Sequence, residues 1–295
     1  MIHSKSIGST VTITDIIIVS LLLLVLVITL YPLYYVAIIS ISDGLAVMRG
    51  EVTLWPKGLT LDSYRVITQN KDLFRSFRNT VVYTVLGTGI NLIMSCFCAY
   101  PLSRKSFSGR KFFTKMIVIT MFVSGGMIPG YLLVSSLGLL DTMWSVLLPV
   151  AINTYNMIVI RTSFQSLPES LIESAKIDGA NDFYILGKIV MPLSKAVLAT
   201  MVLFYSVSHW NNYFSPMIYL NTKSKYPLQI ILRNLVVSGM FSEESSMMGS
   251  VSQFRVTEMT IRYAVIIFAT LPILCVYPFV QKYFVKGVMI GSLKE

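Results

Sequence analysis

Long stretches without charge alternate with short charged ones along this chain. Six windows contain no Asp, Glu, Lys or Arg and are long enough to cross a bilayer: Ile16–Ser42, Asn79–Ser103, Met116–Leu140, Thr142–Ile160, Ala196–Thr222 and Tyr263–Gln281. About 20 apolar residues span the hydrocarbon. The backbone in lipid must satisfy its own hydrogen bonds, so each window is predicted to be a helix. The strict alternation of a membrane barrel is absent. Gly125-Gly126 and Pro129 interrupt the third window and Pro149 the fourth, so these spans are expected to be bent and packed in a bundle. Asp141 is the only charge between them, which leaves open two crossings or one re-entrant unit. The first window exceeds the apolar core of a secretory signal, and Ile39-Ser40-Ile41 is a poor cleavage site, so it is expected to stay as a helix.

Composition agrees with a membrane chain. Of the 295 residues, 54% are hydrophobic and 13% charged, about half the 25% charge of a soluble domain. This excludes a disordered chain, a collagen, a coiled coil and a disulfide-stapled miniprotein. The 24 basic and 14 acidic residues give a net charge of +10. Most basic residues flank apolar runs, which points to membrane topology and away from nucleic acid. Cys96, Cys98 and Cys275 all lie in apolar runs and read as small buried hydrophobes, with neither disulfide nor metal expected.

Orientation follows Lys and Arg in short loops. Arg104, Lys105, Arg110, Lys111 and Lys115 follow the second window without an acid, and Lys282, Lys286 and Lys294 lie in the tail. Both are expected in the cytoplasm, and with six crossings so are both termini. The predicted layout is an N-terminus at 1–15, a first crossing at 16–42, an external loop at 43–78, a core at 79–281 and a tail at 282–295. Within the core, 161–195 is cytoplasmic and 223–262 external. The inner loop breaks the charge rule. Its Arg161, Lys176, Lys188 and Lys195 are balanced by Glu169, Glu173, Asp178 and Asp182.

That loop reads as helix, sharp turn, helix. Pro168 suits a first helical position and Glu169 the positive helix end. Leu171, Ile172 and Ala175 form an apolar stripe with it. Gly179 is placed for a left-handed cap. Asn181 is placed to cap a second helix with Phe183, Leu186 and Val190 on one face, and Pro192 to stop or bend it.

The segment Glu173-Ser174-Ala175-x-x-Asp178-Gly179-Ala180, followed by Ile189 and Pro192-Leu193, resembles the EAA loop of ABC importer permeases. Ser174 stands where the pattern has its middle alanine. Ser163-Phe164-Gln165-x-Leu167-Pro168 and Gln281–Gly287 are similar to the carbohydrate-uptake branch, in its smaller six-span, maltose-type permease. The resemblance covers roughly residues 70 to 295. It implies an all-α polytopic membrane protein with the six-helix bundle of a type I importer, in a bacterial inner membrane. It implies partners too: a second permease in a heterodimer, a cytoplasmic ATPase dimer, an extracytoplasmic solute-binding protein, and a sugar or oligosaccharide as cargo. Glu173 would pair with a basic residue of the ATPase. Ala175 and Gly179 would permit close approach, with Ser174 beside them, Asp178 and Ala180 setting the turn, and Phe183 and Pro192 completing the loop. The tail Val285–Glu295, with Gly287 and Gly291 as joints, would reach between ATPase subunits or simply fray. ATP and Mg would sit on the partner, and no cofactor or metal on this chain.

His209-Trp210-Asn211-Asn212-Tyr213-Phe214 in the fifth window mixes rings and amides at membrane depth. Rings stack on sugar faces and amides bond hydroxyls, so Trp210, Asn211, Asn212 and Tyr213 are pathway candidates, against the alternative of an interfacial aromatic belt. Asn153, Tyr155 and Asn156 form a second group. Asn91 reads as a helix–helix hydrogen bond. In the outer loop, Ser238, Gly239, Met240, Met247 and Met248 are candidates for contact with the binding protein by resemblance, or belong to a flexible loop. A short surface helix is expected after Tyr226-Pro227.

Other classes fit less well. An intramembrane enzyme needs paired acids, a Ser/His pair or a metal constellation, and the six windows hold no acid and one histidine. An ion-driven transporter usually shows an ionisable midplane residue and repeated halves. The chain has no P-loop, so energy from ATP must come through a partner. A permease for a non-sugar solute remains the alternative.

Overall fold

The structure is a computed structural model that describes residues 13–238 and 257–292. The described residues are helical, with no strand among them. The chain divides into two compact units, residues 1–69 with 241–267, and residues 70–240 with 268–295.

Unit one holds α1 (Ile13–Ser40), α2 (Gly44–Met48), α3 (Asp62–Gln69) and the first part of α15 (Glu258–Ser292). Asp43 starts α2 by accepting from the Leu45 (2.9 Å) and Ala46 (3.4 Å) amides. Ile38, Ile39, Val47 and Val52 form a small core, with Tyr35 and Tyr263 packed on it.

Unit two is built around α4 (Lys71–Ser103), 33 residues or about 50 Å of helix at 1.5 Å per residue. Asn70 caps it by accepting from Leu73 N at 3.0 Å. The other elements are α5 (Arg110–Ile119), α6 (Met127–Ser136), α7 (Met143–Leu147), α8 (Thr154–Gln165), α9 (Glu169–Ile177) and α10 (Asp182–Tyr184). A π-helical segment (Ile185–Val190) leads into α11 (Met191–Leu193), then α12 (Lys195–Trp210), α13 (Phe214–Tyr219), a 3-10 turn (Lys223–Lys225) and α14 (Leu228–Ser238). The rest of α15 completes it.

Helices α4 and α12 pack through polar pairs in an otherwise apolar seam. Ser95 Oγ and Tyr205 Oη are 2.7 Å apart, and Thr88 Oγ1 and Ser206 Oγ 3.1 Å. Asn91 donates its amide nitrogen to Val150 O, which leaves Oδ1 to accept from His209 Nε2. Asn91 therefore is the interhelical hydrogen bond that its place in the second window suggested. His209 fits because residue 87 is glycine: a Cβ there would stand 2.5 Å from the imidazole.

The windows differ from uninterrupted helices in three places. The third is broken at residues 120–126 between α5 and α6, and Gly126 takes φ +86°. The fourth is split into α7 and α8 around Pro149, and Asn153 caps α8 by accepting from Asn156 N at 3.0 Å. The fifth ends its long helix at Trp210 and restarts at Phe214. Among the described residues, α1, α4 and Glu258–Cys275 of α15 are each long and apolar enough to cross a membrane, and α10–α12 make a fourth if the bent pair is one span. Gly125-Gly126 lies at the first of these breaks and Pro149 at the second, while the third falls at Asn211-Asn212-Tyr213. Two smaller expectations also change. Helix α15 continues through Gly287 and Gly291 to Ser292, so these glycines are not breaks in it. Cys275 is exposed and Cys98 half-buried, while Cys96 is buried as expected.

The Gly87 contact gives a matched test. Gly87→Val is expected to lower stability by about 1–3 kcal/mol, as overpacking does, read as a fall in thermal midpoint of the purified protein in detergent. Gly89, in the same helix with nothing within 4 Å of an added Cβ, should accept valine with little change. Equal loss in both variants would contradict the packing.

Candidate functional site

The sharpest local feature is the segment between α8 and α12. Helix α9 begins at Glu169, one residue after Pro168, and ends at Ile177, with Asp178 as its C-cap. Gly179 follows at φ +82°, the left-handed conformation its place after the helix called for. Asn181 Oδ1 accepts from Tyr184 N at 2.8 Å and opens the second helical run. After Pro192 the chain turns by 87° into α12. The turn chemistry is thus local and follows from three residue types.

The inner face of this segment is part of the transmembrane core. Ile172, Ala175, Ile185, Leu186 and Val190 are buried in one cluster with Cys96, Ala99 and Leu102 of α4, Met157, Ile160 and Phe164 of α8, and Leu198, Met201 and Tyr205 of α12. Ala180 and Leu167 pack on its edge. Each fully buried Leu, Ile or Val contributes roughly 1.5–3 kcal/mol over exposure, so the segment is anchored.

Polar contacts hold its rim. Arg104 donates to Phe164 O (3.0 Å) and stands 5.1 Å over the Tyr100 ring. Tyr100 donates to Asp182 Oδ1 (3.0 Å), which also faces Lys176 at 3.7 Å. Lys105 pairs with Glu169 at 3.0 Å, and Arg161 Nε donates to Leu102 O at 2.9 Å. Burial lowers the Arg104 pKa from its ordinary value, with Tyr100, Glu169 and Asp182 pulling the other way. The basic residues after α4 thus do more than mark topology: Arg104 and Lys105 bind the loop. Isolated loop sequence gives no sign of this.

The outer face of the segment is exposed among the described residues. Glu173, Ser174, Asp178 and Gly179 are exposed there, beside Ile177 at 86% exposure. Ala175 is buried against the core, as its place in the apolar stripe requires, and so is not on the exposed surface where the resemblance would have it approach the ATPase. Phe183 is 75% exposed and does not share a face with Leu186 and Val190; its ring meets Phe97 edge-on at 6.1 Å. The π-helical segment explains the shift, because its wider turn moves the faces out of 3.6-residue register. Ile177 was missed from sequence; an isolated isoleucine two residues before the capping glycine was the available signal.

The ring-and-amide residues divide into buried and accessible sets. Trp210 is buried, donates to Ala269 O at 3.1 Å, and lies 5.9 Å from Phe77 edge-on. Asn156 is buried. These two brace helices. Asn153 caps α8, Asn212 Oδ1 accepts from Ser215 N at 3.3 Å, and Asn211 donates to Val207 O at 3.0 Å. Asn153, Tyr155, Asn211 and Tyr213 are exposed, with Asn212 half-buried.

At the other end of α4, Asp141 organises a second joint. It lies at φ 54°, outside the usual range for a residue with a side chain. Its Oδ1 accepts from the Asn221 and Thr222 amides (both 3.0 Å), and its Oδ2 from Thr222 Oγ1 (2.6 Å) and Lys225 Nζ (2.8 Å). Its own amide donates to Tyr219 O at 2.8 Å. The ammonium of Lys225, then the Thr222 and Asn221 donors, hold this carboxyl well below the usual carboxylate range. A lone acid in a long apolar stretch was the signal for a committed partner. Leu228, Ile230 and Leu235 of α14 are buried, so the helix after Pro227 lies on the protein. Gly239, Met240, Met247 and Met248 lie outside the described residues, as does the side chain of Ser238.

The model for the binding-protein-dependent transport system inner membrane component matches residues 78–290. The polygalacturonan/rhamnogalacturonan transport system permease protein YtcP of Bacillus subtilis (strain 168) is 44% identical over 282 residues, 95% of this chain and 98% of that one. Protein LplC of the same organism is 42% identical over 90% of each chain. Among solved structures, a bacterial ABC transporter involved in the import of the acidic polysaccharide alginate has a chain with a TM-score of 0.88 and 37% identity, covering 96% of this chain and 99% of that one.

The Asp141 joint has a definite pH signature. Its folded pKa is depressed, so its contribution is full above the ordinary carboxylate pKa and is lost only as pH falls below that range. Amide hydrogen exchange at residues 220–226 should therefore be equally slow, after correction for intrinsic rates, at pH 6 and pH 8. Asp141→Asn should speed it by about tenfold, the effect of losing one charge-assisted contact. No change on substitution would show that the joint is held elsewhere.

Proposed function

The chain belongs to the family of binding-protein-dependent transport system inner membrane components, and on that premise we propose that residues 161–195 are the joint through which a separate ATPase drives it. The protein is a non-catalytic permease subunit of an ABC importer of the sugar and oligosaccharide class, working with an extracytoplasmic solute-binding protein. ATP is hydrolysed on another subunit.

The observation that carries the joint is its two-sidedness. Its inner face is continuous with the core of α4, α8 and α12. Its outer face offers Glu173, Ile177, Asp178 and Gly179. A lever must be fixed to what it moves and free where it is gripped. Glu173 supplies a carboxylate for a basic residue of the ATPase, Ile177 an apolar knob, and Gly179 a turn without a side chain. Ser174 lies beside Glu173 on that surface, and Asp178 ends the helix. Ala175, Ala180 and Pro192 act from within, as packing and bend. Phe183 stands at the margin.

The orientation follows from the joint. The loop faces the cytoplasm, and the end of α4 near Asp141 faces outward. The chain crosses six times, with the third, fourth and fifth crossings broken. A second permease completes the pathway, because one such bundle encloses only half of it. Asn153, Tyr155, Asn211, Asn212 and Tyr213 are the accessible groups for hydroxyls and sugar faces. Trp210 and Asn156 support them through packing. The outer loop from Ser238 through Met248 meets the binding protein.

In membrane vesicles holding the whole transporter, Glu173→Ala or Gly179→Asp should leave the protein inserted and reduce uptake at least about tenfold. Gly179→Asp should be the worse, since it adds a Cβ at a left-handed position. Wild-type uptake with either would contradict the joint. Tyr213→Ala with Asn211→Ala should lower uptake while the thermal midpoint holds, whereas Trp210→Ala should lower both.

A further inference from the structure

The end of unit two remote from the joint carries more positive charge than topology explains. Lys71, Arg75 and Arg78 stand at the start of α4, Lys223 and Lys225 in the 3-10 turn, and Arg233 on α14, with Asp72 and Asp141 as the acids. Arg75 pairs with Asp72 at 3.0 Å and Lys225 with Asp141 at 2.8 Å. Lys71, Arg78, Lys223 and Arg233 are exposed and have no acidic partner among the described residues. The segments that carry them are fastened together. Asn79 Nδ2 donates to Ser224 O (2.8 Å) and Tyr226 O (3.1 Å), and Thr80 Oγ1 accepts from Leu228 N (2.8 Å). In the orientation proposed above this is the outward end, where Lys and Arg are ordinarily scarce. Cations retained against that bias point to an anion.

Arg233 is the best placed of them. It lies four residues after Gln229 on α14, hence on the same helix face. Gln229 Nε2 reaches Asn211 Oδ1 at 3.5 Å, and Tyr213, two residues on, is exposed. A guanidinium and an amide thus share one face of α14, and that amide meets Asn211, two residues from an exposed phenol ring. Amides and rings suit a sugar, and a guanidinium suits a carboxylate, which it can hold in two parallel hydrogen bonds. We propose that the solute is an acidic oligosaccharide of the uronate type, and that Arg233 receives its carboxylate at the entrance to the pathway while Arg78 and Lys223 attract it electrostatically.

This rests on the permease reading, and the experiment separates the two. The complete transporter, with its ATPase and binding protein, is reconstituted in vesicles and given a galacturonate trisaccharide or its neutral methyl ester. The acid should enter at least about tenfold faster than the ester, and added salt should slow it. Arg233→Gln should reduce acid uptake about tenfold, and Arg233→Lys should keep part of it. The paired Arg78→Gln, Lys223→Gln variant should weaken the salt dependence. Equal entry of acid and ester, entry of neither by a complex that still moves a neutral oligosaccharide, or full acid uptake by Arg233→Gln overturns the uronate proposal and leaves the permease intact. A chain that binds no ATPase overturns the permease reading beneath it.

Discussion

Unit two depends on one packing interaction: the inner face of the 161–195 segment is buried in the same apolar cluster as α4, α8 and α12. Ile172, Ile185 and Val190 on the loop and Phe164 beside it are nearly or fully inaccessible. A close-packed core resists deformation, so force applied to one part of it moves the rest. An amphipathic linker resting on the surface would slide instead. The rim contacts of Arg104, Lys105 and Arg161 stop rotation of the segment on that core, each by a directed hydrogen bond or ion pair to a different element.

Helix α4 is the structural spine of unit two. One end meets the joint through Tyr100 and Arg104; the other meets the 224–228 segment through Asn79, Thr80 and Tyr83. Between them the seam with α12 is fixed by small polar pairs and by the seat that Gly87 makes for His209. Apolar packing in lipid has no directional preference of its own, and buried hydrogen bonds between helices supply it. The Asp141–Lys225 joint fastens the α6–α7 hairpin to the end of α13 in the same manner.

Local signals were legible in the sequence. Gly179, Asn181 and Pro192 each act through neighbouring backbone, so their types and spacing suffice to place a turn, a cap and a bend. Gly125-Gly126, Pro129 and Pro149 likewise mark broken spans. The direction in which a side chain points was less legible. Phe183 leaves the face that a 3.6-residue period assigns it with Leu186 and Val190, because a π-helical segment interrupts the period. Trp210 and Tyr213 look alike in sequence, and only packing against Phe77 and Ala269 makes the first a brace. The partners of Arg104 and Asp141 are about 60 and 80 residues away along the chain, beyond any local pattern.

The most direct measurement of the central claim is a spin-label distance between residues 86 and 177, on exposed positions of α4 and the joint. It is taken in the assembled transporter with and without bound ATP, after removal of the native cysteines. A joint fixed to the core keeps this distance to within about 2 Å while the ATPase closes, whereas a shift of about 5 Å or more, one helical turn, would mean that the loop moves on the membrane helices and cannot drive them as a lever.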